Sequence, residues 1–373
     1  MSTILSGLDA TTFKILDALL TEMGSPISIN ELTKKIGRSY GRAYYANIYR
    51  KIQSLTKEKI TSLERVGNTS IASLNFENPI TVDLLTEMDL RKKQGIFQRR
   101  PRLQILLTSI QESFADFGSI MSISLIDPEK NMKLNRAEFL ILVRTPVHRK
   151  RVVHTTMTDE ITDIYRTMKS LQSRFNIRIH HLALPSDEFL DLLRAREINP
   201  LREILGSPMT NFFSPQSFWF EIALASKEGI QIKLLKSETS PFEITEDELV
   251  YNLARFGYRE LGPRIIKSAD ICIELIITSI LLKGVARRIE AIPILLAKNE
   301  PNYNLLIFLS EKYGVSSKLL GLLKSLEKER ISSTPRKEAI TILESIGTKE
   351  EIGTKKIDMF EKLRLYSSGD FAE

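Results

Sequence analysis

The order of hydrophobic periods in the first 76 residues constrains the fold of this chain more than any other feature. Apolar residues recur at helical spacing in three stretches and at strand spacing in the rest. The predicted elements are, in chain order, helix 11–23, a β-rich stretch 27–29, helix 31–36, helix 40–57, strand 60–66 and strand 70–76. Asn30 and Ser39 are the predicted N-caps of the second and third helices, and Gly37 is the predicted end of the second.

This order of helices, closed by a hairpin at Gly67-Asn68-Thr69, is that of a winged helix-turn-helix. Such a domain places its third helix in the DNA major groove and its hairpin beside the backbone. The apolar stripe of the predicted third helix consists of Tyr44, Ile48, Ile52 and Leu55. The remaining surface of that helix is therefore expected to face the partner.

Side chains suited to DNA contact lie opposite the apolar stripe and in the hairpin. Arg and Lys bind phosphates or guanine edges, Asn pairs with adenine, and Tyr reaches phosphates. The predicted nucleic-acid contacts are Arg38, Arg42, Tyr45, Asn47, Arg50 and Lys51 around the third helix, with Arg65 and Asn68 in the hairpin. Residues 1–75 carry ten Lys and Arg against six Asp and Glu, a net charge of +4. The alternative is a winged helix that contacts protein through a solvated basic helix.

Composition sets the outer limits of the prediction. A net charge of +7 over 373 residues favours nucleic acid as a partner. The single cysteine, Cys272, excludes an internal disulfide framework and the usual cysteine-based zinc site, and its apolar surroundings predict burial. The longest apolar run, 271–282, is interrupted by Glu274 and is too short to span a bilayer. With no signal-peptide pattern at the start, we expect a cytoplasmic, nucleoid-associated protein without a membrane partner.

The pattern predicts an α+β multidomain chain. The predicted segments are a winged helix over 1–78, a basic linking helix over 79–102, a mixed α/β domain over 103–245, a helical domain over 246–330 and a helical tail over 331–373. The linking segment ends in a cluster of cations formed by Arg91, Lys92, Lys93, Arg99, Arg100 and Arg102. This cluster is either solvated or an extension of the phosphate-contacting surface.

Three stretches of the predicted α/β domain share an order with a known enzyme family. Gly118-Ser119 precedes a strand, Glu138-Phe139-Leu140 begins the next strand, and a third strand over 177–184 is followed by a short helix and Asn199-Pro200. Over roughly residues 110–235, this order resembles the minimal polymerase-β-like nucleotidyltransferases. The resemblance implies a nucleotide phosphate cradled at the Gly-Ser pair and a divalent metal held by acidic side chains.

The departures from that family predict a domain without catalysis. The family carries two acids on one strand, and here Glu138 matches the first while Leu140 stands at the second. Arg178 and His180 occupy the third strand, where the resemblance implies an Asp. We therefore expect no catalytic residues, no metal and no cofactor, and a vestigial nucleotide site formed by Gly118, Ser119, Glu138, Arg178 and His180. The alternative is an active nucleotidyltransferase with Gly118, Ser119 and Glu138 in its site.

Cationic residues near the third strand could still bind an anion. They are Arg178, His180 and His181, with the run His148-Arg149-Lys150-Arg151. The alternative is that residues 177–184 form a half-exposed strand whose polar side chains face water. His180 and His181 are adjacent and point to opposite faces of a strand, so they do not have metal-ligand spacing.

Residues 246–373 change to helical spacing. The predicted helices are 249–261, opened by Thr245-Glu246-Asp247-Glu248, then 263–290, 295–298, 301–313, 316–329 and one or two within 336–365. The sequences RRIEAIPILLAKN and NYNLLIFLSEKYG resemble the helical domain that accompanies nucleotidyltransferase-like domains in some archaeal proteins and antitoxins. Such bundles also resemble the HEPN class, but no histidine follows His181, so the ribonuclease motif of that class is absent.

Together these features predict a non-catalytic DNA-binding protein, with transcriptional regulation as its expected role. DNA is the expected partner. A homodimer and a contact with the transcription machinery or another protein are also compatible with the sequence. Two alternatives stay open. One is the active nucleotidyltransferase, acting on nucleic acid or protein, and the other is a protein-interaction factor of antitoxin-like or polymerase-associated type.

Overall fold

The computed structural model describes residues 8–133, 135–145, 157–232, 234–235, 239–259, 265–328 and 333–351. Within these ranges the chain divides into two compact units, each built from separate stretches of sequence. The first unit draws on residues 1–144, 185–195 and 201–237, and the second draws on 145–184, 196–200 and 238–373. The predicted mixture of helices and small sheets is confirmed. The five predicted segment boundaries stay predictions.

The N-terminal part of the first unit has the predicted order of elements. They are α1 (Ala10–Leu20), β1 (Ile27–Ser28), α2 (Ile29–Tyr40), α3 (Tyr45–Lys57), β2 (Thr61–Val66) and β3 (Thr69–Leu74). Strand β3 pairs antiparallel with both β1 and β2. Ile15 and Leu16 of α1, Leu32 of α2 and Ile52 of α3 are fully buried, so the three helices share one apolar core.

Three predicted helix boundaries in this part are wrong. Ser28, not Asn30, is the N-cap of α2, because its hydroxyl accepts from the Glu31 backbone N–H at 3.1 Å. Gly37 lies inside α2, which continues to Tyr40. The third helix begins at Tyr45 instead of Tyr40, since the residues between are needed for the turn from α2.

The remaining elements follow in chain order. They are α4 (Pro79–Arg99), α5 (Pro101–Ser113), β4 (Ile120–Ile126), α6 (Pro128–Lys133), β5 (Arg136–Val143), α7 (Met157–Phe175), β6 (Arg178–Pro185), α8 (Ser186–Arg194), α9 (Pro200–Gly206), β7 (Met209–Phe213), α10 (Pro215–Lys227), α11 (Glu246–Arg255), α12 (Ile273–Lys283), α13 (Ala286–Ile289), α14 (Ile292–Lys298), α15 (Tyr303–Tyr313), α16 (Ser316–Lys328) and α17 (Thr334–Ser345). None of the described helices combines the length and apolar composition needed to cross a bilayer.

A sheet packed against two helices forms the second layer of the first unit. Strand β4 pairs antiparallel with β5 and with β7. Helices α4 and α10 pack against this sheet and against each other. The carboxylate of Asp89 in α4 accepts from the side-chain amide of Asn211 in β7 at 2.6 Å and from the indole N–H of Trp219 in α10 at 2.8 Å. A single buried acid therefore joins three elements.

Neither β7 nor α10 is predicted from the sequence. The five residues of β7 have no alternating pattern, and all but the first and last are buried. Helix α10 carries a local signal in Pro215 at its first position, which follows Ser214. That signal alone does not identify a helix, because the apolar residues of α10 are spread around its whole circumference.

The second unit is mainly helical. Helix α12 packs against α11 and α15, and α17 packs against α7, α15 and α16. The predicted start of α11 is confirmed, since Thr245 and Glu248 form a reciprocal capping box. The predicted end of α15 before Gly314 is also confirmed.

The predicted continuous helix over 263–290 is wrong. Residues 265–270 have no helical structure, α12 begins at Ile273, and α13 is separate. The buried amide of Asn252 explains the difference, because it donates to the Ala269 carbonyl at 2.9 Å and accepts from the Ile271 backbone N–H at 3.0 Å. These bonds hold the backbone ahead of α12 in an extended path.

Candidate nucleic-acid interface

The turn between α2 and α3 fixes the direction in which α3 leaves the core. Gly41 ends α2 with φ 86° and ψ −154°, a backbone conformation that is essentially restricted to glycine. Tyr44 is the N-cap of α3, and its carbonyl accepts from the backbone N–H of Asn47 and of Ile48, both at 3.1 Å. The direction of α3 thus follows from one glycine and one backbone cap.

Helix α3 has one buried face and one open face. Ile48, Ile52 and Leu55 are buried. At 100° per residue, the side directly opposite this stripe carries Arg50, together with the exposed Gln53 and Lys57. The prediction that Tyr44 belongs to the apolar stripe is wrong, because 61% of it is exposed.

Arg50 and Asn47 form a side-chain pair on the exposed surface of α3. The guanidinium of Arg50 donates to the Asn47 amide oxygen at 2.9 Å and to the Ala46 carbonyl at 3.3 Å. These two bonds orient the planar guanidinium along the helix surface. An Arg held in this way keeps further N–H donors for a phosphate or for the edge of a guanine.

Two tyrosines flank the exposed face of α3. Tyr45 and Tyr49 stack with their ring centroids 5.8 Å apart and their planes 9° apart. Tyr45 is 43% exposed, so this ring pair forms a flat surface beside Arg50. Such a surface suits contact with the sugar-phosphate backbone.

Lys51 is placed differently from Arg50, although both are predicted DNA contacts. Its ammonium group pairs with Asp9 at 2.7 Å, and Asp9 is also the N-cap of α1. Partial burial raises the pKa of Asp9, but hydrogen bonds from Lys51 and Thr12 outweigh burial and lower that pKa to about 2. Lys51 therefore connects α1 with α3.

The hairpin places Arg65 and Asn68 in solvent. Val66 pairs with Thr69, so Gly67-Asn68 is a two-residue loop, one residue shorter than predicted. The Nε of Arg65 donates to the Gly67 carbonyl at 3.3 Å, which holds its side chain along the loop. Arg65 and Asn68 are both exposed at the tip of the hairpin.

Four exposed arginines around α3 have no ion pair with a carboxylate of the described residues. Arg38 lies in the last turn of α2, Arg42 in the turn that follows, Arg50 in α3 and Arg65 in β2. The placement of Arg38 and Arg42 ahead of α3 corrects the prediction that the third helix carries them. Within the part of the chain that the structure describes, none of the four has a carboxylate oxygen within 4 Å. Their charges are open to a partner.

The basic cluster of the linking segment is largely engaged inside the first unit. Lys92 pairs with Asp17, Arg91 with Glu87, and Arg100 with Glu129. Lys93 donates to the carbonyl of Phe212 and to Gln111, both at 3.2 Å. Most of this cluster joins α4 to its neighbours. Arg91, Arg99 and Arg102 are exposed, and among the described residues Arg99 and Arg102 have no ion pair.

The structure separates the Gly118-Ser119 pair of the predicted nucleotide site from Glu138. Gly118 and Ser119 lie beside the first residue of β4, where the Ser119 carbonyl accepts from the Arg144 backbone N–H at 2.7 Å. Glu138 pairs with Ile126 at the last residue of β4. Six residue steps at about 3.4 Å separate these ends by roughly 20 Å. Glu138 is also buried beside Arg136, 3.4 Å away.

The other members of that predicted site belong to the second unit. Arg178 is exposed and His180 half-buried on β6, whereas His181 is buried. The ring of His181 lies against Tyr165, with centroids 4.3 Å apart. Burial lowers the pKa of His181 to about 3, and the neighbouring charges of His180 and Lys169 act in the same direction. The run His148-Arg149-Lys150-Arg151 lies outside the described residues.

A metal site outside the interface would need His, Cys, Asp or Glu side chains at metal-ligand spacing. In the ranges that the structure covers, no group of three or more His, Cys, Asp or Glu side chains is arranged to hold a metal ion. The thiol of Cys272 is buried, and burial raises its pKa well above the ordinary value, so the thiol stays protonated at neutral pH.

Three residues of the interface are missed by the sequence prediction. Gln53 and Lys57 follow Arg50 by three and seven residues, which is the spacing of one helix face, and Tyr49 stacks on Tyr45. The helical spacing that places Gln53 and Lys57 beside Arg50 can be read from the sequence.

Comparison of the chain with known protein families, curated proteins and solved structures finds no match. The functional assignment therefore depends on the residues themselves.

Proposed function

We propose that this chain is a DNA-binding protein, and that residues 8–76 act as a winged helix-turn-helix with α3 as the recognition helix. The observation that carries the proposal is a set of exposed arginines that have no acidic partner among the described residues: Arg38, Arg42, Arg50 and Arg65. They belong to the end of α2, the turn, α3 and the hairpin. These are the elements that contact backbone and bases in a winged helix.

In this proposal α3 contacts bases, and the segments on either side of it contact phosphates. Arg50, Asn47 and Gln53 meet base edges, since they lie on the exposed part of the helix. Arg38, Arg42 and Arg65 meet phosphates on either side. The expected cellular role is regulation of transcription or another process templated by DNA.

Binding to a fluorescently labelled duplex, measured by anisotropy at several salt concentrations, tests the proposal. Affinity should fall steeply with salt, because phosphate contacts release counterions. Arg42→Gln and Arg50→Gln together should lower both the affinity and the salt slope. Lys227→Gln is the matched control, since Lys227 is an exposed cation at the end of α10. Equal effects of the double variant and the control would contradict the proposal, and genome-wide crosslinking would then locate no enriched sites.

We also propose that residues 103–245 do not catalyse nucleotidyl transfer. Leu140, at the position of the second acid, is fully buried in β5, and Glu138 lies about 20 Å from Gly118 by strand length. Incubation with labelled nucleoside triphosphates and Mg²⁺ or Mn²⁺ tests this. Incorporation that disappears in Glu138→Ala would establish the active enzyme instead.

A second candidate function is protein binding through the same surface. The observation in its favour is the exposure of apolar side chains there: Tyr44 and Val66 are each 61% exposed. Affinity capture from lysate treated with nuclease distinguishes the two functions. A partner that is retained after nuclease and lost in Tyr44→Ser favours this candidate.

A further inference from the structure

A cavity of about 410 Å³ lies inside the first unit. Its walls come from α1 and the turn after it, the end of α2, α4, the start of α6, residues 205–211 and Trp219. The apolar part of the wall consists of Leu20, Met23, Ile96, Leu205, Met209 and Trp219. This volume and this mainly apolar lining, with a few polar groups, are typical of small-molecule sites.

The carboxylates around the cavity already have donors. Asp89 accepts from Asn211 and Trp219, Asp17 accepts from Tyr40 and pairs with Lys92, and Glu129 pairs with Arg100. Their negative charges are therefore engaged within the protein. A cationic ligand would have to displace one of these partners.

Arg99 is a cation of the cavity wall that has no carboxylate partner among the described residues. It is exposed, and its Nε donates to the Gly95 carbonyl of its own helix at 3.0 Å. No carboxylate of the described residues lies within 4 Å of its guanidinium. Since Arg99 belongs to the wall and is exposed, it provides a cationic site at the mouth of an apolar chamber.

We infer that this cavity binds a small amphipathic carboxylate, with its apolar body against Ile96, Met209 and Trp219 and its carboxylate at Arg99, and that its occupancy changes DNA affinity. The coupling rests on the proposed DNA binding. Ser39 is part of the wall, and Asp17 accepts a hydrogen bond from Tyr40, the last residue of α2. A ligand therefore touches the segment that leads directly, through Gly41, into α3.

The fluorescence of Trp219 reports directly on ligand binding, because Trp219 is the single tryptophan of the chain and lines the cavity. The probes are 8-bromooctanoate, 8-bromooctan-1-ol and 8-bromooctylammonium, which share an apolar body and differ in charge, and whose bromine quenches indole on contact. We expect saturable quenching by the carboxylate at lower concentration than by the alcohol, and weakest quenching by the ammonium. Equal quenching by all three, or none, would overturn the inference.

Arg99→Gln is the decisive variant. It should weaken binding of the carboxylate by about fivefold and leave the alcohol unchanged, because it removes one charge-assisted contact at an exposed site. Arg102→Gln is the matched control, since Arg102 is a nearby exposed cation outside the wall. Equal losses in both variants would overturn the placement of the carboxylate at Arg99.

DNA affinity with and without saturating octanoate tests the coupling, with sodium acetate added at equal concentration as the ionic control. A change of at least about threefold is expected, and DNA should change octanoate affinity by the same factor. Quenching without any change in DNA affinity would overturn the coupling alone. If the chain does not bind DNA at all, the proposed function fails, while the quenching series still decides the cavity.

Discussion

The indole N–H of Trp219 donates to the carboxylate of Asp89 at 2.8 Å, and both side chains are almost completely buried. Asn211 supplies two more donors, its side-chain amide at 2.6 Å and its backbone N–H at 3.3 Å. The acid belongs to α4, the indole to α10 and the asparagine to β7. One carboxylate in the wall of the cavity thus holds α4 to β7 and α10, whose donors lie 122 and 130 residues from Asp89 in the chain.

This relationship predicts a pH dependence of stability. Burial raises the pKa of Asp89 to about 6, and the charge of Lys92 and the three hydrogen bonds offset part of that effect. The folded state therefore holds a proton that the unfolded chain releases near pH 4, and stability should fall as pH rises from 4 to 6. The fall should be about 3 kcal/mol, the equivalent of roughly two pKa units.

Asp89→Asn should remove this fall, because an amide does not ionise. Urea denaturation at pH 4, 5, 6 and 7 gives the difference in unfolding free energy between the variant and the original chain. The Trp219 emission of the folded original chain should also titrate near pH 6. A constant difference between the two chains across this range would contradict the raised pKa.

The buried His181 predicts a pH dependence of stability of opposite sign in the second unit. Burial lowers its pKa to about 3, well below the ordinary value of 6.5. Stability is therefore fully present above pH 6.5 and is lost as pH falls toward 3, since the unfolded chain then binds a proton that the folded chain rejects.

His181→Phe should reduce this acid sensitivity while keeping an aromatic ring against Tyr165. Unfolding of the variant and of the original chain should be compared at pH 7 and pH 4.5. The two chains should differ in the loss of stability between these values, with the smaller loss in the variant. Parallel losses would show that His181 is not the responsible group.

Arg50 and Lys51 are adjacent, and the structure predicts different consequences for their removal. Arg50→Gln should relax base preference at one position, because Arg50 is assigned to a base edge, and should lower the salt slope of DNA binding by at most about 0.9, the value for one phosphate contact. Lys51→Met should leave that slope unchanged and lower stability by less than about 1 kcal/mol, because its ion pair with Asp9 is partly exposed. A larger change of slope in Lys51→Met than in Arg50→Gln would contradict these placements.

Gly206 at the end of α9 predicts a steric effect. A Cβ atom there would lie 2.2 Å from the carbonyl oxygen of Leu235 and 3.1 Å from its carbonyl carbon. Gly206→Ala should therefore lower stability by on the order of 1–3 kcal/mol, since backbone has to shift. Gly118→Ala is the control, with no heavy atom within 4 Å of its Cβ position. Thermal unfolding of both variants measures the difference, and similar melting temperatures would refute the close approach.

Local patterns in the sequence predict much of the fold. The capping pair Thr245 and Glu248 gives the start of α11, and Gly314 gives the end of α15. The order of elements over residues 10–74 follows from hydrophobic period and turn residues. These features depend on neighbours within one or two turns, so they can be predicted from the sequence alone.

Some elements lack such local information. Helix α10 is apolar around its circumference although Phe220 and Leu224 are exposed, so its pattern does not show which face packs against the sheet and α4, and β7 is buried without alternation. The helix predicted over 263–290 is interrupted because Asn252, outside that stretch, binds its backbone. In each case a distant contact outweighs the local preference.

The sequence by itself determined the local elements and the residue types of the interface, including Arg42, Arg50 and Arg65. Only the tertiary structure decided that Lys51 pairs with Asp9, 42 residues away, and that Gly118 and Glu138 lie at opposite ends of β4. The physical reason is that ion pairs, buried hydrogen bonds and strand register join residues far apart in the chain. Their geometry is set by how the elements pack, and the period of a single element does not contain that information.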